Sequence, residues 1–166
     1  MFVVLATKKV LDRCGGPSRS DGPTTTALGD WYATALFWKP QVALFVNEPT
    51  RLPVFVPLAP AVTLVPRFVT HLGAVLAGHG LDPRFIDSEL DEMSEHGLAK
   101  TANRSVVGTM TEFSFLAEVH REHDGAGDLL ALSLRLARTP CGPLRSGHGF
   151  PDRELKALVE RIPGLG

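Results

Sequence analysis

Apolar positions along this chain change period several times, and the changes predict the order of its elements. Phe2 to Leu5 is short, apolar and β-branched, which predicts a buried strand. Thr7 is placed to open a helix over Lys8 to Arg13, with Val10 and Leu11 facing inward. Cys14-Gly15-Gly16-Pro17 stops it, and residues 15–27, rich in Gly, Pro, Ser and Thr, read as a flexible loop. Three strand-like runs follow: Trp31 to Trp38, Gln41 to Val46 and Pro53 to Leu58. Lys39-Pro40 and Asn47-Glu48-Pro49-Thr50 separate them as turns. Connections this short predict an antiparallel meander. Pro53 and Pro57 make the last run an edge strand or a short one.

The period then becomes helical. Leu64, Val65, Phe68, Leu72, Val75 and Leu76 share one face, and Gly80 ends that helix. Asp82-Pro83 supplies an N-cap and a first-turn proline for another, lined by Phe85, Ile86, Leu90 and Met93 and closed at His96-Gly97. Leu98 to Thr101 reads as a fourth meander partner or an extended link. Ser105 to His120 keeps helical spacing, and Asp124 to Gly127 is a turn. Leu129 to Arg138 fits both periods, and its Leu, Ala and Arg content favours helix. Residues 139–151 form a Pro/Gly loop, and Asp152 caps a last helix through Arg161. The sum is one α+β domain over 1–166, without repeat or linker: a small antiparallel sheet of three to four strands packed with about five to six helices.

Composition narrows the function classes. The chain has 166 residues, 44% of them hydrophobic, enough for one sizeable core. Seventeen basic against 18 acidic residues give a net charge of −1, which argues against a non-specific coat for duplex DNA and leaves room for a local basic site. Cys14 and Cys141 make neither a disulfide framework nor a zinc knuckle, and read as free thiols in a reducing cytosol. No run approaches the roughly 20 apolar residues of a membrane span. The first residues lack a basic region and a long apolar core, so no secretory signal is read. The expectation is a cytoplasmic protein without a membrane partner.

Candidate chemistry concentrates in Lys100-Thr-Ala-Asn-Arg-Ser-Val-Val-Gly-Thr-Met110. Asn103 can cap the following helix, leaving Arg104 and Ser105 in its first turn. A cation there opposes the helix dipole, a conflict that a bound anion relieves. Lys100, Thr101, Asn103, Arg104 and Ser105 are therefore the candidate ligand-binding residues, for a phosphate-bearing ligand, nucleic acid or an acidic partner protein. The competing reading pairs Arg104 with Asp91 or Glu92 inside the fold and makes the segment a structural joint. Thr7-Lys8-Lys9 repeats the theme, and the two basic helix starts converge if the first strand lies beside the segment ending at Thr101.

Other clusters carry less. Trp31, Tyr32 and Trp38 form either a base-stacking platform or core, and with only Lys39 nearby core is favoured. His120 and His123, near Glu118 and Asp124, lack a zinc-site signature, so no metal and no cofactor is expected. The run Asp87, Glu89, Asp91, Glu92, Glu95 reads as water-facing. There is no G-x-S-x-G and no P-loop. The first functional reading is accordingly a non-enzymatic binding or regulatory module. The alternative is an enzyme with a dispersed site that joins Asn103, Arg104 and Ser105 to His120 or His71 and needs a histidine within hydrogen-bond reach of Ser105 or Thr101. An obligate oligomer would instead expose an apolar patch around Trp31 to Trp38.

The early Thr-Lys-Lys, Trp31-Tyr-Ala, Leu44-Phe-Val-Asn-Glu48 and the Lys100 to Met110 segment together resemble an uncharacterised bacterial family of single-domain proteins. Its hallmark has the form K-T-x-N-R-S-V-x-G-[ST]-M. Two positions depart from the family pattern: Thr34 stands where Asn is usual after W-x-A, and Thr109 replaces a Ser. The resemblance implies no activity. It marks the Lys100 to Met110 segment as either a buried joint or a site.

Overall fold

The predicted meander is present: β2 (Trp31–Leu36), β3 (Val42–Asn47) and β4 (Pro53–Pro57) pair antiparallel, with Tyr32 opposite Val46 and Leu44 opposite Phe55. The computed structural model describes residues 1–19, 22–124 and 128–164, and shows a sheet larger than that meander. Strand β1 (Phe2–Ala6) joins β2 in parallel, and β5 (His96–Lys100) joins the other side of β1, also in parallel. The result is one five-stranded mixed sheet of order β4-β3-β2-β1-β5, which corrects the expectation of three to four antiparallel strands. The reason is range. Short turns encode hairpins locally, whereas a parallel pair needs a crossover, and no periodicity near His96 announces a partner more than ninety residues away. Leu98 to Thr101 accordingly pairs outside the meander, and the helix expected to close at His96-Gly97 ends earlier, as α3 (Pro83–Asp91). The predicted turn over Asp124 to Gly127 falls largely on residues 125–127, outside the described residues.

Alternation along the strands divides the core into two layers. On one face α1 (Lys8–Arg13), α2 (Leu64–Gly78), α3 and α6 (Pro151–Glu160) pack on Phe2, Val4, Trp31 and Phe45. Phe68 of α2 stacks on Phe45 at 4.0 Å and meets the Trp31 ring edge-on at 5.0 Å. On the other face α4 (Arg104–Asp124) lays Val106, Met110, Phe113 and Ala117 against Tyr32, Leu44 and Phe55. Burial on both faces explains why β2 and β3 read as continuous apolar runs. The last helix starts at Pro151 with Phe150 as N-cap, so Asp152 lies inside the first turn rather than capping it.

Helix α5 (Leu129–Leu136) runs along the β4 edge. The Ser133 hydroxyl accepts a hydrogen bond from Phe55 N–H (2.9 Å) and donates one to Leu129 C=O (2.8 Å), so it occupies a strand donor that would otherwise be open. Leu134 packs on the first layer while Leu132 and Leu136 pack on the second, which is why the leucines of α5 surround the helix and mimic a strand. Gly78 of α2 permits this docking, since a Cβ there would lie 2.9 Å from Leu134. At the opposite edge Ser18 exchanges backbone bonds with Leu98, tying down part of the 15–27 loop.

Ala61–Gly78, with mean hydropathy 1.4 over 18 residues, is long and apolar enough to cross a membrane by length and composition. The expectation that no stretch approaches that limit was therefore too strong. Its buried stripe packs on the sheet, and Arg67 donates to the carbonyls of Pro57, Leu58 and Pro60.

Candidate functional site

Strands β1, β2 and β5 run parallel; Ala6, the last residue of β1, lies opposite Ala33 on one side and Lys100, the last residue of β5, on the other, while β2 continues to Leu36. From there the chain leaves β1 into α1 on one face of the sheet and leaves β5 into α4 on the opposite face. Such a divergence beyond the carboxyl ends of parallel strands is where open α/β sheets hold ligands. The two basic helix starts do converge here. Thr34 meets them, because the Thr7 hydroxyl bonds the Thr34 hydroxyl at 3.2 Å. Thr7 consequently makes no side-chain cap on α1.

The cations at this place differ in how they are used. Lys8 pairs with Asp12 at 2.9 Å, and Lys9 lies 5.2 Å from the Phe37 ring centroid. Lys100 and Arg104 are exposed, and neither forms an ion pair among the described residues. The expected internal partners of Arg104, Asp91 and Glu92, do not reach it. Thr101 is half-buried.

The remaining candidates hold the start of α4. Asn103 caps the helix as predicted, its side-chain oxygen accepting from Ser105 N–H at 2.9 Å. The Asn103 N–H donates to the Tyr32 hydroxyl, also at 2.9 Å. Ser105 Oγ accepts from Arg51 Nη2 at 3.2 Å, and the Thr109 hydroxyl donates to Ser105 C=O. Arg51 is 8% exposed, sits at φ 62°, and its Nε has no partner. Burial works against its charge and lowers its pKa, opposed by Glu48. Sequence reasoning missed Arg51, because a basic residue at the exit of a turn carries no signal of being buried beneath a helix fifty residues on.

Beside this start the sheet is uncovered. An open depression of about 660 Å³ spreads over β1 and β5, with Val3, Gly97 and Ala99 beneath and Ser18, Arg19 and Lys100 around it. No acidic side chain among the described residues lines it.

The dispersed enzyme site does not assemble. His120 lies fifteen residues beyond Ser105 on the same helix, roughly 22 Å along its axis. His71 lies on α2, across the sheet. Among the described residues no group of three or more His, Cys, Asp or Glu is placed to hold a metal, and the side chain of His123 lies outside them. Trp31 and Tyr32 are core, while Trp38 is half-exposed. Burial pushes the Cys141 thiol up to about 11 and raises that of Cys14, so neither is an activated nucleophile.

The expectation that the whole acidic run faces water fails at Glu89, which is 2% exposed. One carboxylate oxygen accepts from Leu28 N–H at 3.2 Å and the other has no partner. Burial pushes this carboxyl up to about 7, against the opposing effect of hydrogen bonds from the Leu28 and Ala27 backbone.

No curated protein and no solved structure matches the chain. A family model does, over residues 3–154. That span takes in every strand, the start of α4 and the depression beside it: the chain belongs to the family described as a domain of unknown function, DUF6933.

Proposed function

We propose that this protein is a non-enzymatic binding module that holds a phosphate-bearing ligand at the start of α4. The observation that carries the reading is electrostatic. Arg51, Lys100 and Arg104 gather at a helix N-terminus without an ion pair to any described residue. The helix end adds partial positive charge of its own, so like charges accumulate that an anion would relieve. Arg104 and Lys100 supply mobile charge, Thr101 a hydroxyl, and Arg51 a buried charge that positions Ser105. The adjoining depression gives room for the remainder of a ligand larger than the phosphate. Three of the four segments that carry the family resemblance (Thr-Lys-Lys, Trp31-Tyr-Ala and Lys100 to Met110) meet at this place, where Asn103 N–H donates to the Tyr32 hydroxyl and Ala6 pairs with Ala33 and Lys100, which supports a site over a solvated surface.

The test is thermal unfolding with inorganic phosphate, a nucleoside monophosphate and a short single-stranded oligonucleotide as separate probes. A ligand at a hundred times its Kd adds about 2.7 kcal/mol of stability, or roughly 5–10 °C in Tm for a chain of this size. At least one probe is expected to give such a rise, and Lys100→Gln with Arg104→Gln to abolish it. Absence of any rise, or a rise that survives in the double variant, overturns the reading. The probe that responds tells a free phosphate site from one that reads a nucleotide or a strand.

A further inference from the structure

A second cavity lies beyond the β2–β3 turn, beside the last turns of α4. It has a volume of about 330 Å³ and is lined by Trp38, Val42, Pro57 and Leu132, with Lys39, Arg121 and Arg135 around the opening. That volume is at the small end of the roughly 300–1,000 Å³ typical of ligand pockets. Its position follows from the fold. The chain leaving β2 carries Trp38 past the sheet, the last turns of α4 bring Arg121 over it, and α5 closes the side along β4.

We propose that this pocket binds a small aromatic anion, a fused or linked ring system bearing one acidic group. Three observations fix the chemistry. The interior is formed by an indole, a proline and aliphatic side chains, which suit a flat apolar body. Arg121 sits 4.9 Å from the Trp38 ring centroid and forms an ion pair with Glu118 through Nη1 at 3.6 Å. That contact engages one guanidinium nitrogen and leaves further N–H donors for an acidic group at the mouth. Among the described residues the one carboxylate in the lining, Asp128, is committed as the N-cap of α5, where it accepts from Leu130 N–H at 2.9 Å. The opening thus favours negative charge and the interior favours a ring.

Anilinonaphthalene sulfonate has this chemistry, and N-phenyl-naphthylamine offers a similar ring body without the charge. Fluorescence titration of the full chain is expected to show one saturable site for the sulfonate. Ala131 lines the pocket yet is exposed, so Ala131→Trp fills the space while the fold is retained, which its Tm verifies. That variant should abolish binding of both probes. Lys39→Gln with Arg121→Gln should weaken the sulfonate by about tenfold or more, the scale of a lost charged hydrogen bond, while leaving the neutral probe within about twofold. Equal loss of both probes in the charge variant, or sulfonate binding that survives Ala131→Trp, overturns the proposal. So does a concentration-dependent dimer that Ala131→Trp disperses, since the pocket would then belong to a second copy of the chain. Lys100→Gln with Arg104→Gln should not alter the sulfonate titration, and Ala131→Trp should not alter the phosphate response, so the two sites stand or fall separately.

Discussion

At the amino ends of β1 and β2, polar atoms are buried and almost all are paired. Asn47 is fully buried, donates to Leu28 and Asp30 carbonyls, and accepts from both Thr50 N–H (3.2 Å) and the Thr50 hydroxyl (2.7 Å). Asp30 accepts from Val3 N–H (2.9 Å) and the Thr24 hydroxyl (2.6 Å). At the carboxyl ends of β1 and β5, Lys100 and Arg104 reach into solvent without an ion pair among the described residues. The first region uses its polar groups to lock a turn and a loop against the sheet. The second leaves charge uncommitted at low structural cost. The contrast also divides the family resemblance: Leu44 to Glu48 marks a joint, whereas the Lys100 to Met110 segment is a joint at Asn103, Ser105 and Thr109 and open at Lys100 and Arg104.

Substitutions at the two ends should therefore separate stability from binding. The largest effect is expected at Asn47→Ala, which strands several buried partners and should cost roughly 3 kcal/mol, seen as a fall in the urea midpoint with phosphate affinity retained. Glu89, like Trp31 Nε1, has a buried polar atom without a partner in this region, and its effect depends on pH. Its folded pKa of about 7 lies above the ordinary carboxylate value of 4.5, so the native state holds the proton more tightly than the unfolded chain. Stability should fall as pH rises from about 4.5 to about 7, by an amount on the order of 2–3 kcal/mol, and stay low above that. Glu89→Gln should flatten that slope in urea titrations run at several pH values. An unchanged slope would mean that the carboxyl is better solvated than its burial implies.

Arg51 lies between the two classes. Arg51→Met removes a bond to Ser105 but also a poorly solvated charge, so stability should move by no more than about 1 kcal/mol while phosphate binding weakens. A loss of several kcal/mol with intact binding would make Arg51 a pin for α4 instead. The smallest stability effect, under about 0.5 kcal/mol, is expected for Lys100→Gln with Arg104→Gln, since exposed unpaired charges contribute little to folding. Calorimetric Tm without ligand checks it. A large drop would place those side chains in the joint.

Much of the fold was legible because its signals are local. The meander followed from turn chemistry at Lys39-Pro40 and Asn47 to Thr50, α2 from a helical stripe ending near Gly80, and α3 from Asp82-Pro83, where Asp82 accepts from Arg84 N–H at 2.8 Å. Asn103 was identified as a cap for the same reason: the bond that defines it spans two residues. What stayed hidden depends on contacts between distant segments. Glu89 shares its composition and spacing with carboxylates that face water, and only the backbone of Leu28, supplied by another part of the chain, makes it buried.

The sequence by itself determined which segments are strands and helices, where they are capped, and that positive charge gathers at the start of α4, because propensity, periodicity and capping act over a few residues. Tertiary structure decided that β1 lies between β2 and β5, that α1 and α4 leave on opposite faces, and that Arg51 reaches Ser105. Each of these is a pairing across more than twenty residues of chain, and such pairings are selected by the burial of whole faces against one another, a property of the assembled sheet that no local stretch of residues carries.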